Sequence, residues 1–377
     1  KTLWVLVCYA FMNRTFGFVN QMRLCIAKSH YFSNFDFMCF KHVTTFSIFF
    51  LVLLSTALLQ AQDVHFSQFY MSPLTINPAQ TGNMDGQWRF SGNHRNQWRT
   101  IGKPFNTTAI GYDRNFFYYN EQFSGGLVYL FDETGGSNLK MHKIALSGAY
   151  HKTYDIHEFH FGFQPTYVHK SYDLSGTSFP SQYDRNTGQF NANLPNGDPF
   201  LNDQINYFDF NAGVAYGIDL DKFRPEIGIA LFHINKPNES FFGTDYQVPI
   251  RTTFSFNAQV DVLSNISLLP TIMYMAHGKA SELLYGTNVL FHLKENQMEA
   301  TGVYGGVLLR DGFNRNTDAA VVIVGMRFPN LEIGFNYDLN ISELKASTDL
   351  RGAFELSVIY TSPSMLLKKT AIPCDRY

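Results

Sequence analysis

The sequence is poor in charge. Charged residues make up 16% of its 377 positions, against about 25% in an ordinary soluble protein. It has four cysteines, and Cys8, Cys25 and Cys39 all precede an apolar run at 46–59. Only Cys374 lies beyond that run, so no internal disulfide can staple the larger part of the chain. At about 14 residues the run is shorter than the roughly 20 needed for a membrane-spanning helix. No GxSxG elbow, P-loop or dinucleotide fingerprint is present. HExxH and paired cysteines are missing as well, and no basic block suggests nucleic acid. These absences argue against a disulfide scaffold, a bundle of membrane helices and the common nucleotide- or metal-dependent enzymes. No cofactor is indicated.

What is present is aromatic and glycine-rich: 37 Phe, 21 Tyr and 28 Gly, with 45% hydrophobic residues. Yet the mean hydropathy is near neutral. That combination suits strands with one lipid-facing and one polar face. Alternation at period two is clear in several segments. Over 251–262, Arg251, Thr253, Ser255, Asn257, Gln259 and Asp261 alternate with Phe254, Phe256, Ala258, Val260 and Val262. The segments 208–218, 332–339 and 351–360 behave alike, whereas 140–150 and 284–293 are blurred. Strands are predicted at 87–95, 105–115, 122–132, 139–151, 158–170, 208–219, 224–234, 251–263, 266–276, 284–293, 301–310, 317–327, 331–339 and 351–361. This gives about fourteen, the even number expected of a bacterial barrel. Long and short connections mostly alternate along the list, as in barrels with long outer loops and short periplasmic turns. Lipid offers no partner to an unpaired strand edge, so the sheet must close. The predicted fold is all-β: a transmembrane antiparallel β-barrel with an irregular segment before its first strand.

The chain begins at Lys1, with Met12, Met22 and Met38 as candidate starts. Met38 fits a Sec signal peptide over 38–61: Lys41 and His42 supply the basic region, 46–59 the apolar region, and cleavage falls near Ala61. Residues 1–37 then form an upstream or mistranslated leader. Losing residues 1–61 removes five basic residues (Lys1, Arg14, Arg23, Lys28, Lys41) but only Asp36 among the acidic ones, which makes the remainder more acidic. The mature chain divides into an N-terminal periplasmic or plug segment at 62–86, the barrel at 87–361 and a tail at 362–377. Pro73, Asn77 and Pro78 argue against a regular strand or helix in the first part. Phe66, Phe69, Tyr70, Leu74 and Ile76 make it too apolar for a disordered leader.

Candidate chemistry is sparse. His157 and His160 are three residues apart, so on a strand they point to opposite faces and cannot share one ion. The stretch 196–203 has oxygen ligands for Ca²⁺ but lacks EF-hand spacing. Inward Asp and Glu residues line the lumen, and nothing singles out a catalytic pair. The loop 171–207 is long enough to be functional or mobile. Cys374 is a lone thiol in an oxidising compartment, either inert or available to a partner.

The opening of the mature chain carries Phe66-Ser67-Gln68-Phe69-Tyr70, Pro73-Leu74, Asn77-Pro78-Ala79, Gly82 and Asn93-His94-Arg95-Asn96-Gln97-Trp98. With 162–167 (GFQPTY), 211–216 (NAGVAY), 233–241 (HINKPNESF), 304–306, 336–338 with 341–342, and 352–356, this resembles the PorP/SprF family of Bacteroidetes. The resemblance implies a type IX secretion protein of the outer membrane, not an enzyme. It implies a secreted adhesin or gliding-type partner bearing a type IX C-terminal signal, other type IX components and outer-membrane lipid as its surroundings. Phe66, Gln68, Tyr70, Pro73, Asn77, Pro78, Asn93, Arg95, Gln97 and Trp98 are the motif residues. His233, Asn235, Pro237, Asn238, Glu239, His277 and Lys279 fall in outward loops and are candidate docking residues. The tail Pro373-Cys374-Asp375-Arg376-Tyr377 is similar to the family's ending, with Asp375 in place of a second proline. The rival reading is a porin-like or hydrophobic-solute channel.

Overall fold

The computed structural model describes residues 63–363, except 100–101, 120, 135–138, 173–178, 186, 192, 196, 198–202, 294–299, 313–316 and 343–349. The leader, the signal segment and residues 364–377, with Cys374, lie outside the described residues, as does most of 196–203.

Fourteen strands form one closed antiparallel barrel. They are β1 (Trp88–Gln97), β2 (Phe105–Tyr118), β3 (Glu121–Thr134), β4 (Leu139–Tyr154), β5 (His157–Tyr172), β8 (Gln204–Ile218), β9 (Phe223–Phe232) and β10 (Arg251–Leu263), followed by β11 (Ile266–His277), β12 (Ala280–His292), β13 (Gly302–Gly312), β14 (Thr317–Arg327), β15 (Leu331–Asn340) and β16 (Arg351–Thr361). Each predicted strand corresponds to one of these. The sequence did not reveal β6 (Tyr183–Asp184) and β7 (Gln189–Phe190), a small hairpin within the long loop. Barrel neighbours follow chain order, with β5 beside β8, and β1 closes against β16 from Arg89↔Thr361 to Gln97↔Ala353.

The alternation sorts side chains as the pleat requires. Ile110, Leu127, Leu146, Phe161, Phe163 and Val324 are exposed on the outer wall. So much bare apolar surface suits hydrocarbon, not water. No helix among the described residues is long and apolar enough to cross a membrane, so any crossing is made by strands. The turns β2–β3, β4–β5, β8–β9, β10–β11 and β14–β15 are short, and the longest connections, β5–β8 and β9–β10, lie at the other end.

Residues 63–86 fill the lumen. Their local form follows from proline: Pro73 and Pro78 stand at the first turn of two one-turn helices, Pro73–Ile76 and Pro78–Gln80, where no backbone N–H is needed. Another such turn spans Phe69–Met71. This plug runs the height of the barrel. Asp63 meets Arg251 at the start of β10 and His233 just past β9, at the long-loop mouth. Asn115 on β2 holds the Gly86 carbonyl at the short-turn mouth. One wall of the lumen is apolar: Met273, Leu284, Leu290, Leu308, Val321 and Ile323 pack on Phe69 and Ile76. Elsewhere Phe66 sits among Ala109, Leu130, Met141 and Val168.

Phe66 is wholly buried. Phe66→Ala is expected to cost about 3–5 kcal/mol of stability, measured by denaturant unfolding of the detergent-solubilised barrel.

Candidate functional site

The interface between plug and wall contains a concentration of buried charge. The Glu355 carboxylate on β16 accepts two backbone N–H groups of the plug, from Ser67 at 2.7 Å and Gln68 at 3.1 Å. Asp338 on β15 accepts the Ser67 hydroxyl at 3.1 Å. Arg95 on β1 bridges all three, donating to Ser67 Oγ at 2.8 Å, to Asp338 Oδ2 at 2.9 Å and to Glu355. Arg310 on β13 donates to Asp338 Oδ2 at 2.8 Å and to Ser67 Oγ. Gln68 reaches Asn336 at 2.6 Å, and His65 reaches Glu282 on β12 at 2.7 Å. Arg95, Asp338 and Glu355 are 5%, 1% and 0% exposed, a burial tolerable only because every charge is paired.

Below this clamp the plug meets a wall of glycine. Asn77 caps the Pro78–Gln80 turn through its side-chain oxygen and donates to the Val214 carbonyl at 3.0 Å. A Cβ on Gly213 would lie 1.9 Å from Asn77 Oδ1, and one on Gly162 would lie 2.2 Å from the Pro78 carbonyl carbon. Glycine is required at both positions by close approach, not by an unusual φ. Gln164 on β5 donates to the Leu74 carbonyl. Near the short-turn mouth Asp113 accepts the Gly82 N–H and pairs with Arg89, while Gln80 and Asn83 both donate to Glu226. The Thr81 carbonyl is met by His151, whose other ring nitrogen shares a hydrogen bond with His160.

At the long-loop mouth, Asp63 is held by Arg251 at 2.7 Å, His233 at 3.4 Å and Lys143 at 3.8 Å. Burial pushes the Asp63 carboxyl up, but Lys143, Arg251 and His233 outweigh it and hold the pKa well below the ordinary value. A carboxyl depressed on folding adds stability that is complete above its unfolded pKa and lost as pH falls through the folded one.

The motif residues gather here. Phe66, Gln68, Pro73, Asn77 and Pro78 are buried in the plug, Tyr70 binds Asn288, and Asn93 and Arg95 face it from β1. Gln97 bonds Arg95, whereas Trp98 packs on Phe105 at the rim, away from the plug. The candidate docking residues divide. His233 is 3% exposed and bound to Asp209 and Asp63, so it faces the lumen and is corrected from an outward contact to a plug contact. Pro237 is buried, and Glu239 pairs with Lys170 and Tyr207, so this part of the loop is tied over the mouth. His277 is half-buried against the His233 ring. Asn235, Asn238 and Lys279 are exposed. His157 turns outward to Tyr216, opposite in face to the buried His160. No group of three His, Cys, Asp or Glu suited to a metal occurs among the described residues. Sequence reasoning did not single out Glu355, Asp338, Arg310 or Glu282 as plug ligands. Their signal was inward charge on otherwise ordinary strands.

A closed barrel with a lipid-facing exterior and a lumen filled by its own N-terminal segment defines a plugged outer-membrane barrel. Residues 58–360 match the family described as type IX secretion system membrane protein PorP/SprF, and the chain belongs to that family. Family and fold are therefore those of a secretion-system barrel of the outer membrane, not of a known enzyme class, and membership implies association with other secretion components and cargo. No curated protein matches the chain in sequence. Among solved structures, the Ralstonia pickettii toluene transporter TbuX is 10% identical, with 80% of this chain and 95% of that chain covered and a TM-score of 0.45. A TodX monoaromatic hydrocarbon channel mutant is 8% identical, with 77% and 94% covered and a TM-score of 0.46. BamA from Haemophilus ducreyi lacking POTRA domains 1–3 is 9% identical, with 73% and 70% covered and a TM-score of 0.41. The barrel itself rests on this chain's own strand register.

Glu355→Gln keeps the shape but removes the charge that balances Arg95, and should loosen the plug by about 3–5 kcal/mol. The readout is faster amide exchange at 65–70 than in the wild type. Gly213→Ala should shift the same signal at 76–80. The Asp63 anchor should persist from neutral pH down to about 4 and weaken below it, with exchange at 63–65 rising only in the acid range.

Proposed function

We propose that this barrel assists the secretion or surface anchoring of a cognate adhesin- or gliding-type protein in a member of the Bacteroidetes, acting through that protein's C-terminal signal. Family membership supports the type IX setting. The observation that carries the reading is the plug: its clamp of paired buried charges keeps the lumen filled, leaving the rim, loops and outer wall for a partner. The chain reaches the outer membrane after Sec export with cleavage near Ala61. Partner contacts are assigned to the exposed residues of 235–239 and 277–279, with Cys374 a further candidate. A porin-like or hydrophobic-solute channel is the alternative, and it requires the plug to leave.

Deleting the gene should remove one or a few large proteins from the cell surface while other surface proteins stay, measured by surface proteomics. Unchanged surface composition would sink the reading. In planar bilayers the purified barrel should show no steady conductance. Steady conductance by the wild type would put the channel reading first.

A further inference from the structure

Strand β8 is longer than its partner on one side. Against β5 it is paired from Ser171↔Gln204 to His157↔Ile218, but against β9 only from Ala212↔Leu231 to Gly217↔Glu226. Beyond Phe232 the chain turns away through two left-handed residues, His233 (φ 59) and Lys236 (φ 45). That turn takes up part of the abandoned edge. The Ile234 N–H donates to the Phe210 carbonyl, the Phe210 N–H donates to Asn235 Oδ1, and Asn235 Nδ2 donates to the Phe208 carbonyl. In an antiparallel strand both backbone groups of a residue point to the same neighbour. Residue 210 faces the β9 side, so residues 208, 206 and 204 do too. The Phe208 N–H, and both backbone groups of Asn206 and Gln204, have no partner among the described residues. The following loop does not cover them. It folds over the mouth, with Glu239 tied to Lys170 and Tyr207 and with Phe241 and Val248 buried.

The wall beside this edge is apolar. Phe208 is 65% exposed, and Phe210, Ile234 and Leu231 are exposed near it. The apolar surface continues down β8 and β9 into an outward concavity of about 720 Å³ bordered by Phe161, Phe163 and Val214. Lys236, exposed beside Asn235, has no ion-pair partner among the described residues.

We propose that the edge at 204–208 is a strand-addition site for an extended segment of the secreted partner. The free N–H and C=O groups supply the main-chain pairing. Phe208, Phe210 and Ile234 take every second side chain, and an acidic group of the segment lies beside Lys236. An unpaired edge beside an apolar wall is the feature proteins ordinarily cover or blunt with charge, and among the described residues neither device is present at Asn206. This inference rests on the proposed function and adds where, and by what kind of bond, the partner is held.

The test uses the full chain in its own outer membrane and the surface protein whose display is lost on deletion. Asn206→Pro removes one edge donor without touching the pairing with β5, which uses the odd-numbered residues. Asn206→Ala is the control, since it also loses the side-chain bonds to Tyr167 and His169. Losing one main-chain bond and stranding its acceptor is expected to lower display about tenfold in Asn206→Pro, with Asn206→Ala close to wild type. Lys236→Glu should lower display as well, and this holds the test open should the proline variant not assemble. A photo-crosslinker at Gln204 should capture that same surface protein. Wild-type display by an assembled Asn206→Pro barrel would overturn the proposal. So would a crosslink confined to this chain's own 173–203 loop, which would mean that the loop itself covers the edge. If deletion removes no surface protein, the functional reading fails first and this one with it. A partner lost on deletion but indifferent to Asn206→Pro and Lys236→Glu rejects the edge alone.

Discussion

The structure depends on one carboxylate accepting two amides. Glu355 takes the N–H groups of Ser67 and Gln68, and that fixes where the plug stands in the lumen. Two consecutive backbone donors on one carboxylate set both position and direction, which an apolar contact cannot do. The charge is affordable in a buried place because Arg95 lies against it and is itself shared with Asp338. Arg310 then balances Asp338. Within this frame the apolar packing of Phe66, Phe69 and Ile76 supplies bulk stabilisation, and the glycines at 162 and 213 give room for the turn that follows.

The barrel was largely legible in the sequence, because lipid outside and polar atoms inside enforce a period of two on every strand. The strands that blurred did so for a physical reason. In β4, Met141 and Ala145 face the lumen, and in β12, Leu284 and Leu290 do. They are apolar because the plug, not water, lies against them, so alternation fades where the plug packs. The plug was partly legible: its aromatic content ruled out a solvated leader, and its prolines ruled out a strand. What it binds was not. Ser67 and Glu355 are 288 positions apart, and one sequence gives no sign of which inward carboxylate meets which amide. His233 was misread for a related cause. It follows a strand in a loop-like sequence, but its left-handed backbone turns the side chain back into the lumen.

The wall is not uniform. Strands β2 to β5 and β8 run 14 to 16 residues, whereas β9 and β15 run 10. The step in height falls between β8 and β9, beside the loop that arches over the mouth. Such a step leaves a barrel that is sealed within the hydrocarbon yet has backbone groups to offer above it. A closed barrel can thus be shut to solutes and still pair with another polypeptide.

The clamp also has a temporal meaning. Arg95 lies on the first strand, Glu355 on the last and Asp338 on the one before it, and the plug immediately precedes the first. These charges therefore meet only when the two ends of the chain zip together. Until then Asp338 has Arg310 for a partner, but Arg95 and Glu355 lack each other, which weighs against a half-zipped sheet settling in a low-dielectric setting. The final strand pairing thus completes the clamp on Ser67 and Gln68. A finished barrel is locked from within at the same seam where its sheet closes.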